Sequence, residues 1–474
     1  MKRRKFLQTA AWSGAALAGM EVPHWAMPTS SHAFPTGGGI NVAEGIEIVE
    51  AGKEKNVMPE IRPEILNNPR AVFLIETNVS ASPDSRGNFI EAREQLEQAG
   101  KMLVRELFVK GSRKGGSTLV KPNFTTVPDR TLSPVVGINT APDFVAGFVE
   151  GLRELANTNV IVSDRGTDVV NHRRTGIYEV LDAHKINLIE ANYDHFSHYR
   201  KQDLSWHRVP KPVIWKNIPT YRPIGDPDNF FINMAKLKCH NLGLTTLTIK
   251  NLQGAVPTAY GHYCDTWDAL PLLCKTYGIN FKRDFVEGYQ QLVEAAFLKH
   301  RDAGFKYWDK EQSYAKYQAK GGWEAFRKVK DSVKDKAEFM KGIPNLMWDE
   351  QWSQRGLDSS SAIKPSINII EGIIGRDGSG FDVGKDELCN IIVVGLSTTE
   401  TDAVGSYIMG HDPKQLIYTR IAKEREMGEN DVNKIDIYWI RNGHVSKANV
   451  ADIKRFKLGV TLHTWSETGE RLMW

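Results

Sequence analysis

Cysteine is scarce in this chain: four residues among 474, Cys239, Cys264, Cys274 and Cys389, with no C-x-x-C pair. A ferredoxin-type cluster or a zinc ribbon is thereby excluded as a local motif, because each needs closely spaced thiolates around its metal. A long apolar run is also missing. The mild run from Thr9 to Met20 falls short of the roughly 20 apolar residues that a spanning helix needs, so no stable membrane anchor is expected. Nor is there an excess of charge of either sign. The formal charge is +4, and the first 33 residues hold Lys2, Arg3, Arg4 and Lys5 against Glu21 alone. Without them the chain is nearly neutral, which gives no support to a nucleic-acid or anionic-membrane partner. The fingerprints G-x-S-x-G, H-E-x-x-H and G-x-G-x-x-G do not occur, so serine hydrolase, zincin and dinucleotide-binding readings have no basis.

What is present begins with Arg3-Arg4-Lys5-Phe6-Leu7, paired arginines ahead of an apolar stretch. This reads as a twin-arginine export signal over residues 1–33, with cleavage after Ser31-His32-Ala33 and before Phe34. The expected destination is the periplasm or the exterior, and the translocase of that route is the partner during export. Since the route carries folded proteins, a cofactor inserted beforehand is compatible with it.

Short β-branched runs then alternate with helical periodicities. Residues 71–77, 117–121, 160–162 and 186–189 read as strands, and 89–109, 142–156 and 175–184 as helices with apolar residues at i, i+3 and i+4. Further strands are expected over 230–238, 365–374 and 389–396, and helices over 401–409 and 412–427. Alternation of this kind predicts an α/β fold, with a largely parallel sheet or sheets flanked by helices. The length predicts two lobes, 34–264 and 356–474. Between them, residues 265–355 carry Trp267, Trp308, Trp323, Trp348 and Trp352 with many lysines, and read as a helical insert.

In open parallel sheets, ligands gather beyond the carboxyl ends of the strands. Four segments place polar residues just past an apolar run: Lys121-Pro122-Asn123, Ser163-Asp164-Arg165-Gly166, Lys236-Leu237-Lys238-Cys239-His240 with the following Lys250, Asn251 and Gly254, and Glu400-Thr401-Asp402. Two look-alikes carry less. Gly111 to Thr118 mimics a phosphate loop but has Ser117 where the lysine belongs. Asp377 to Asp382 resembles a calcium loop but lacks its glycine and closing glutamate, and reads better as an anion-binding loop.

The succession VKPN, GINTAPDFVAGFVEGLRE, VIVSDRG, KLKCHNLGLTTLTIKNLQG, GRDGSGFDVGK and TETDAVGSYIMGHDP resembles the family called domain of unknown function 362, over roughly residues 117–440. The resemblance implies an α/β protein and no defined activity. Some members carry an added iron–sulfur module, whose cysteines this chain lacks. Where members usually have threonine between the lysine and the histidine, this chain has Cys239.

Two chemistries follow from the residues. Cys239, His240, His262 and Cys264 offer two thiols and two imidazoles, a set suited to a transition metal such as zinc or iron, provided the backbone turns between Cys239 and His240. Alternatively, the two cysteines are core residues. Lys121, Asn123, Lys238, Lys250 and Asn251, with Lys236, Arg165, Arg173 and Arg174, would line a cleft for a carboxylate or phosphate. Asp164, Asp402 and His240 would serve there as orienting or acid–base groups. The expectation is an exported enzyme, dependent on a cofactor or metal, that acts on a small anionic substrate. The alternative is a non-catalytic periplasmic binding or assembly protein that uses the insert as its partner surface.

Overall fold

The computed structural model describes residues 57–82, 92–112, 115–125, 137–156, 158–166, 176–192, 204–212, 217–240, 243–256, 353–378, 384–459, 463–465 and 471–473. Residues 1–33, expected to be an export signal, His262, Cys264, Arg173, Arg174 and residues 265–352 of the expected insert lie outside these residues.

A ten-stranded sheet organises the rest. Its strands are β1 (Val72–Glu76), β2 (Thr118–Lys121), β3 (Val160–Gly166), β4 (Leu188–Asn192), β5 (Phe230–His240), β6 (Leu244–Thr246), β7 (Ile367–Arg376), β8 (Asp386–Gly395), β9 (Ile437–Arg441) and β10 (His444–Lys447). Their order is β10-β9-β1-β8-β7-β5-β2-β3-β4, with β6 folded back on β5. All strands run in one direction except β6, β8 and β10. The fold is therefore α/β with a large, mostly parallel central sheet. Sections 34–264 and 356–474 both supply strands to it, since β1 pairs between β8 and β9.

Strand residues that alternate between two apolar faces need cover on both sides. In β1, Phe73 and Ile75 enter one core while Val72 and Leu74 enter the other. The first core lies under α1 (Arg93–Leu107), α2 (Pro142–Leu155) and α3 (Ile177–Ala183), which supply Leu96, Leu103, Phe144, Phe148 and Leu181. The second lies under α5 (Thr398–Ile408), through Ala403, Val404 and Ile408. A one-turn helix, α4 (Thr248–Asn251), follows β6, and α6 (Ile417–Glu424) packs Ile421 beside Tyr418 and Ile249.

Three features escape the pattern of apolar runs. The β9–β10 hairpin turns on Asn442-Gly443, both at positive φ (51° and 76°), the backbone that a two-residue type I′ turn demands. Strand β6 and the hairpin of Leu204–Arg208 with Asn217–Tyr221 are equally short and half polar. The expected 412–427 helix is split into a 3₁₀ turn, Pro413–Gln415, and α6. Pro413 supplies no N–H and suits only the first turn of a helix.

Helices α1 and α2 approach closely because one residue has no side chain. A Cβ on Gly147 would lie 1.9 Å from the Glu97 carbonyl oxygen. Gly147→Ala must therefore push the two helices apart. The expected loss is about 1–3 kcal/mol, the usual cost of overpacking, read as a lowered denaturant midpoint at unchanged slope.

Candidate functional site

The carboxyl ends of β2, β3, β5 and β7, with the start of the reversed strand β8, bring Lys121, Asp164, Lys236, Lys238, Arg376 and Asp386 to one edge of the sheet. All are buried, as is Glu371. Charges removed from water are costly unless they are paired, so each one's partner decides its role.

Lys121 is fully engaged. Its Nζ donates to Asp164 Oδ1 at 2.7 Å, to the Pro122 carbonyl at 2.9 Å and to Asn251 Oδ1 at 3.1 Å. Asp164 Oδ2 also accepts from the Phe124 N–H at 2.7 Å. The backbone at Gly254 seats on this pair: a Cβ there would lie 2.3 Å from Asp164 Oδ1 and 2.6 Å from Lys121 Nζ. Asn251 is likewise spent. Its Nδ2 donates to the Lys121 carbonyl and to Asn233 Oδ1, and its Oδ1 also accepts from Asn123 Nδ2 at 3.2 Å. Asn233 passes the chain on to the Thr248 carbonyl and to Asn368 Oδ1, and Asn368 to the Leu396 carbonyl. Lys121 and Asn251 thus clamp strands together, and an anion would have to displace existing bonds to reach them. Asn123 keeps one free valence, as its buried Oδ1 has no partner among the described residues.

Lys236 pairs with Glu371, both wholly buried. Glu371 also accepts from the Ile373 N–H at 2.9 Å and the Ala141 N–H at 3.2 Å, which ties α2's entry to the sheet. Beyond Glu371 the register of β7 slips, so that Arg376 comes to face Lys238. Bulges of this kind re-aim side chains at sheet ends. Arg376 Nη1 donates to Asp386 Oδ1 at 2.6 Å.

Lys238 is different. Its Nζ donates to the Ile138 carbonyl at 2.7 Å, and among the described residues no carboxylate is in ion-pair contact with it. Burial, reinforced by the positive fields of Lys250, Arg376 and Lys236, holds its pKa well below the usual lysine range, against a weaker opposing field from Asp164. Lys250 is half-buried on α4. His240 is buried two residues beyond Lys238, and alternation along β5 puts both on the same face.

Two expectations are corrected. Asp402 does not sit at this rim. Strand β8 runs antiparallel, so its carboxyl end, Gly395, lies beside Asn368 and away from the level of Lys238, Arg376 and Asp386, and Asp402 reaches α4 from within α5. Its Oδ1 accepts from the Thr248 N–H at 2.7 Å and hydroxyl at 2.5 Å, and its Oδ2 from the Ile249 N–H at 3.0 Å. It is the cap of the short helix that carries Lys250 and Asn251. Burial pushes its pKa up to about 7, against the three hydrogen bonds that favour the ionised form. The second correction concerns the metal set. The backbone does not turn between Cys239 and His240, since both remain in the β5–β6 ladder opposite Thr245 and Leu244. They therefore project to opposite faces. The Cys239 thiol lies in the second core and donates to the Leu458 carbonyl at 3.2 Å, and burial raises its pKa.

Glu371, Arg376, Asp386, Asn233 and Asn368 escaped the sequence reading. A signal existed for some of them: Glu371 interrupts the apolar run INIIEGII, and Asn233 and Lys236 interrupt FFINMAKLK. A charged or amide side chain inside a strand buried on both faces needs a partner.

Removing either member of the Lys236–Glu371 pair leaves a buried charge unmatched. Lys236→Met or Glu371→Leu alone is expected to cost about 3–5 kcal/mol, whereas the double change recovers most of that loss; equilibrium unfolding of the three variants measures it.

The family model described as Domain of unknown function (DUF362) matches residues 118–407, an interval that contains every residue of this rim. No curated protein and no solved structure matches the chain.

Proposed function

The chain belongs to the domain of unknown function 362 family, and from that premise we propose that it is an exported enzyme whose strand-end rim binds a small anionic substrate, with Lys238 as the principal anion contact. One observation carries this reading. Lys238 is a buried amine with a carbonyl for partner and cations for neighbours, whose protonated form burial disfavours. An arriving carboxylate or phosphate would supply the counter-charge that the protein withholds. Lys250, closer to solvent, would draw the anion inward. His240, on the same face, is positioned to exchange a proton with a ligand held by Lys238. Asp164 orients Lys121, and Asp402 holds the helix that bears Lys250.

A transition metal held by Cys239 together with His240 is not part of this proposal, because their side chains diverge. The reading of the insert as a partner surface concerns residues outside those described and gains no support from the rim.

Titration calorimetry with inorganic phosphate, acetate and pyruvate tests the anion site. Lys238→Met is expected to weaken the bound anion at least about tenfold, and Lys250→Ala a few-fold, since a half-exposed charge is screened. Affinity should be highest at low pH and fall as pH rises through the lowered pKa of Lys238, because the neutral amine no longer attracts an anion. Unchanged affinity in Lys238→Met defeats the reading.

Export rests on Arg3-Arg4 and the stretch that follows. Cell fractionation is expected to recover a chain that begins at Phe34 outside the cytoplasm, whereas Arg3→Lys with Arg4→Lys leaves the precursor inside. Equal export of both forms rules out the twin-arginine route.

A further inference from the structure

Strand register lines up four buried polar side chains, of which the anion reading above uses only Lys238. Thr246 stands opposite Lys238 across β6 and β5, Lys238 opposite Arg376 across β5 and β7, and Arg376 opposite Asp386 across β7 and β8. Residues directly opposed in adjacent strands project from the same face, and strands lie about 4.8 Å apart, so the four form one continuous row. Thr246 and Lys238 are each 3% exposed, Arg376 5% and Asp386 6%. The Gly137–Ile138 segment lies along the row, with Gly137 against the Asp386 carboxylate and the Ile138 carbonyl on Lys238.

Three atoms of this row have no hydrogen-bond partner among the described residues: Thr246 Oγ1, Arg376 Nε and Asp386 Oδ2. A buried polar atom left unpaired costs about 1–3 kcal/mol, and three in one row call for a ligand that satisfies them together. Their chemistry restricts that ligand. Arg376 Nε can only donate, Thr246 can donate, and Lys238 has two N–H groups beyond the one given to Ile138. Asp386, whose Oδ1 is held by Arg376, offers Oδ2 as an acceptor; burial raises its pKa, while Arg376, Lys236 and the Gly137 N–H favour the carboxylate. Donors that converge on an oxyanion beside a single acceptor require an anion that brings a proton of its own. A sulfate or a simple carboxylate has none at neutral pH and would set oxygen against oxygen at Asp386.

We propose that the row Thr246–Lys238–Arg376–Asp386 binds a protonated phosphate group, either hydrogen phosphate or a phosphomonoester monoanion, and that Asp386 rejects fully ionised oxyanions of the same shape. This rests on the anion site proposed for Lys238 and narrows its ligand from small anions in general to phosphate.

The experiment is calorimetry on the full-length protein at pH 6 and constant ionic strength, with inorganic phosphate, methyl phosphate and sulfate as probes. At that pH, phosphate and a substantial share of the monoester hold a proton. Phosphate, methyl phosphate or both should bind at least about tenfold more tightly than sulfate, and whichever is tighter identifies the source as free or esterified phosphate. Asp386→Asn, which presents an amide in place of the acceptor, should remove the preference by admitting sulfate. Thr246→Val, which keeps the shape, should weaken phosphate and sulfate alike and leave their ratio. Sulfate bound as tightly as phosphate by the unaltered protein overturns the proposal, as does a ratio unchanged in Asp386→Asn. Should Asp386→Asn not fold, the ratio in the unaltered protein and the effect of Thr246→Val decide alone. If acetate or pyruvate binds through Lys238 while phosphate and methyl phosphate do not, the row is wrong and the broader anion site stands. If no anion binds, both fall.

Discussion

Four cations, Lys121, Lys236, Lys238 and Arg376, are buried together at one sheet edge, and the carboxylates buried with them are Asp164, Glu371 and Asp386. Much of the surrounding structure follows from the cost of keeping these charges out of water. Each carboxylate takes one cation, and the backbone N–H groups of Phe124, Ile373 and Ala141 occupy what Asp164 and Glu371 have left. Lys238 is the remainder. A protein selected for stability alone would replace such a group with an apolar side chain of similar volume, because even well-paired buried ions add little to stability. Its retention beside further cations is the physical ground for reading the edge as a place where something negative belongs.

Holding such a cluster requires rigid supports, and the asparagines provide them. Asn251, Asn233 and Asn368 run side chain to side chain from the Lys121 carbonyl to the Leu396 carbonyl, linking α4, β5 and β7. Every member both donates and accepts, so rotation of one amide would break bonds at two neighbours. Asp402 anchors the same scaffold from below through the first two N–H groups of α4. The proposed binding edge and its foundation are thus different sets of residues, although both are polar and both are buried.

The sequence discloses these sets unequally. Apolar runs such as STLV, NVIV and IIVVG locate β2, β3 and β8 because a strand covered on both faces must be apolar throughout, and the spacing of Phe144, Phe148 and Leu152 locates α2. Lys121, Asp164, Lys238 and Lys250 were legible as rim residues for the same reason: polar side chains that directly follow a buried strand have one place to go. Direction was not legible. Nothing local in residues 386–395 says that β8 runs against its neighbours, and that reversal takes Asp402 away from Lys238 and Arg376 to the start of α4. Register was not legible either. Arg376 meets Lys238 only because β7 slips after Glu371, a property of three strands at once. Asn442-Gly443 is the opposite case, a turn written plainly in two residues beside strands too short and too polar to draw notice.

Strand β1 lies between β8 and β9, so the earliest strand of the main sheet has both its hydrogen-bonded neighbours more than 300 residues further along the chain. During synthesis this first strand emerges with no partner for either edge and must wait while more than 300 further residues are made before β8, and later β9, can pair with it. Pairings so distant in sequence are slow to close and leave an apolar edge open in the meantime. For Val72–Glu76, nascent life is therefore a long interval of exposure, and a chaperone or a transient non-native partner has the whole of that interval in which to act.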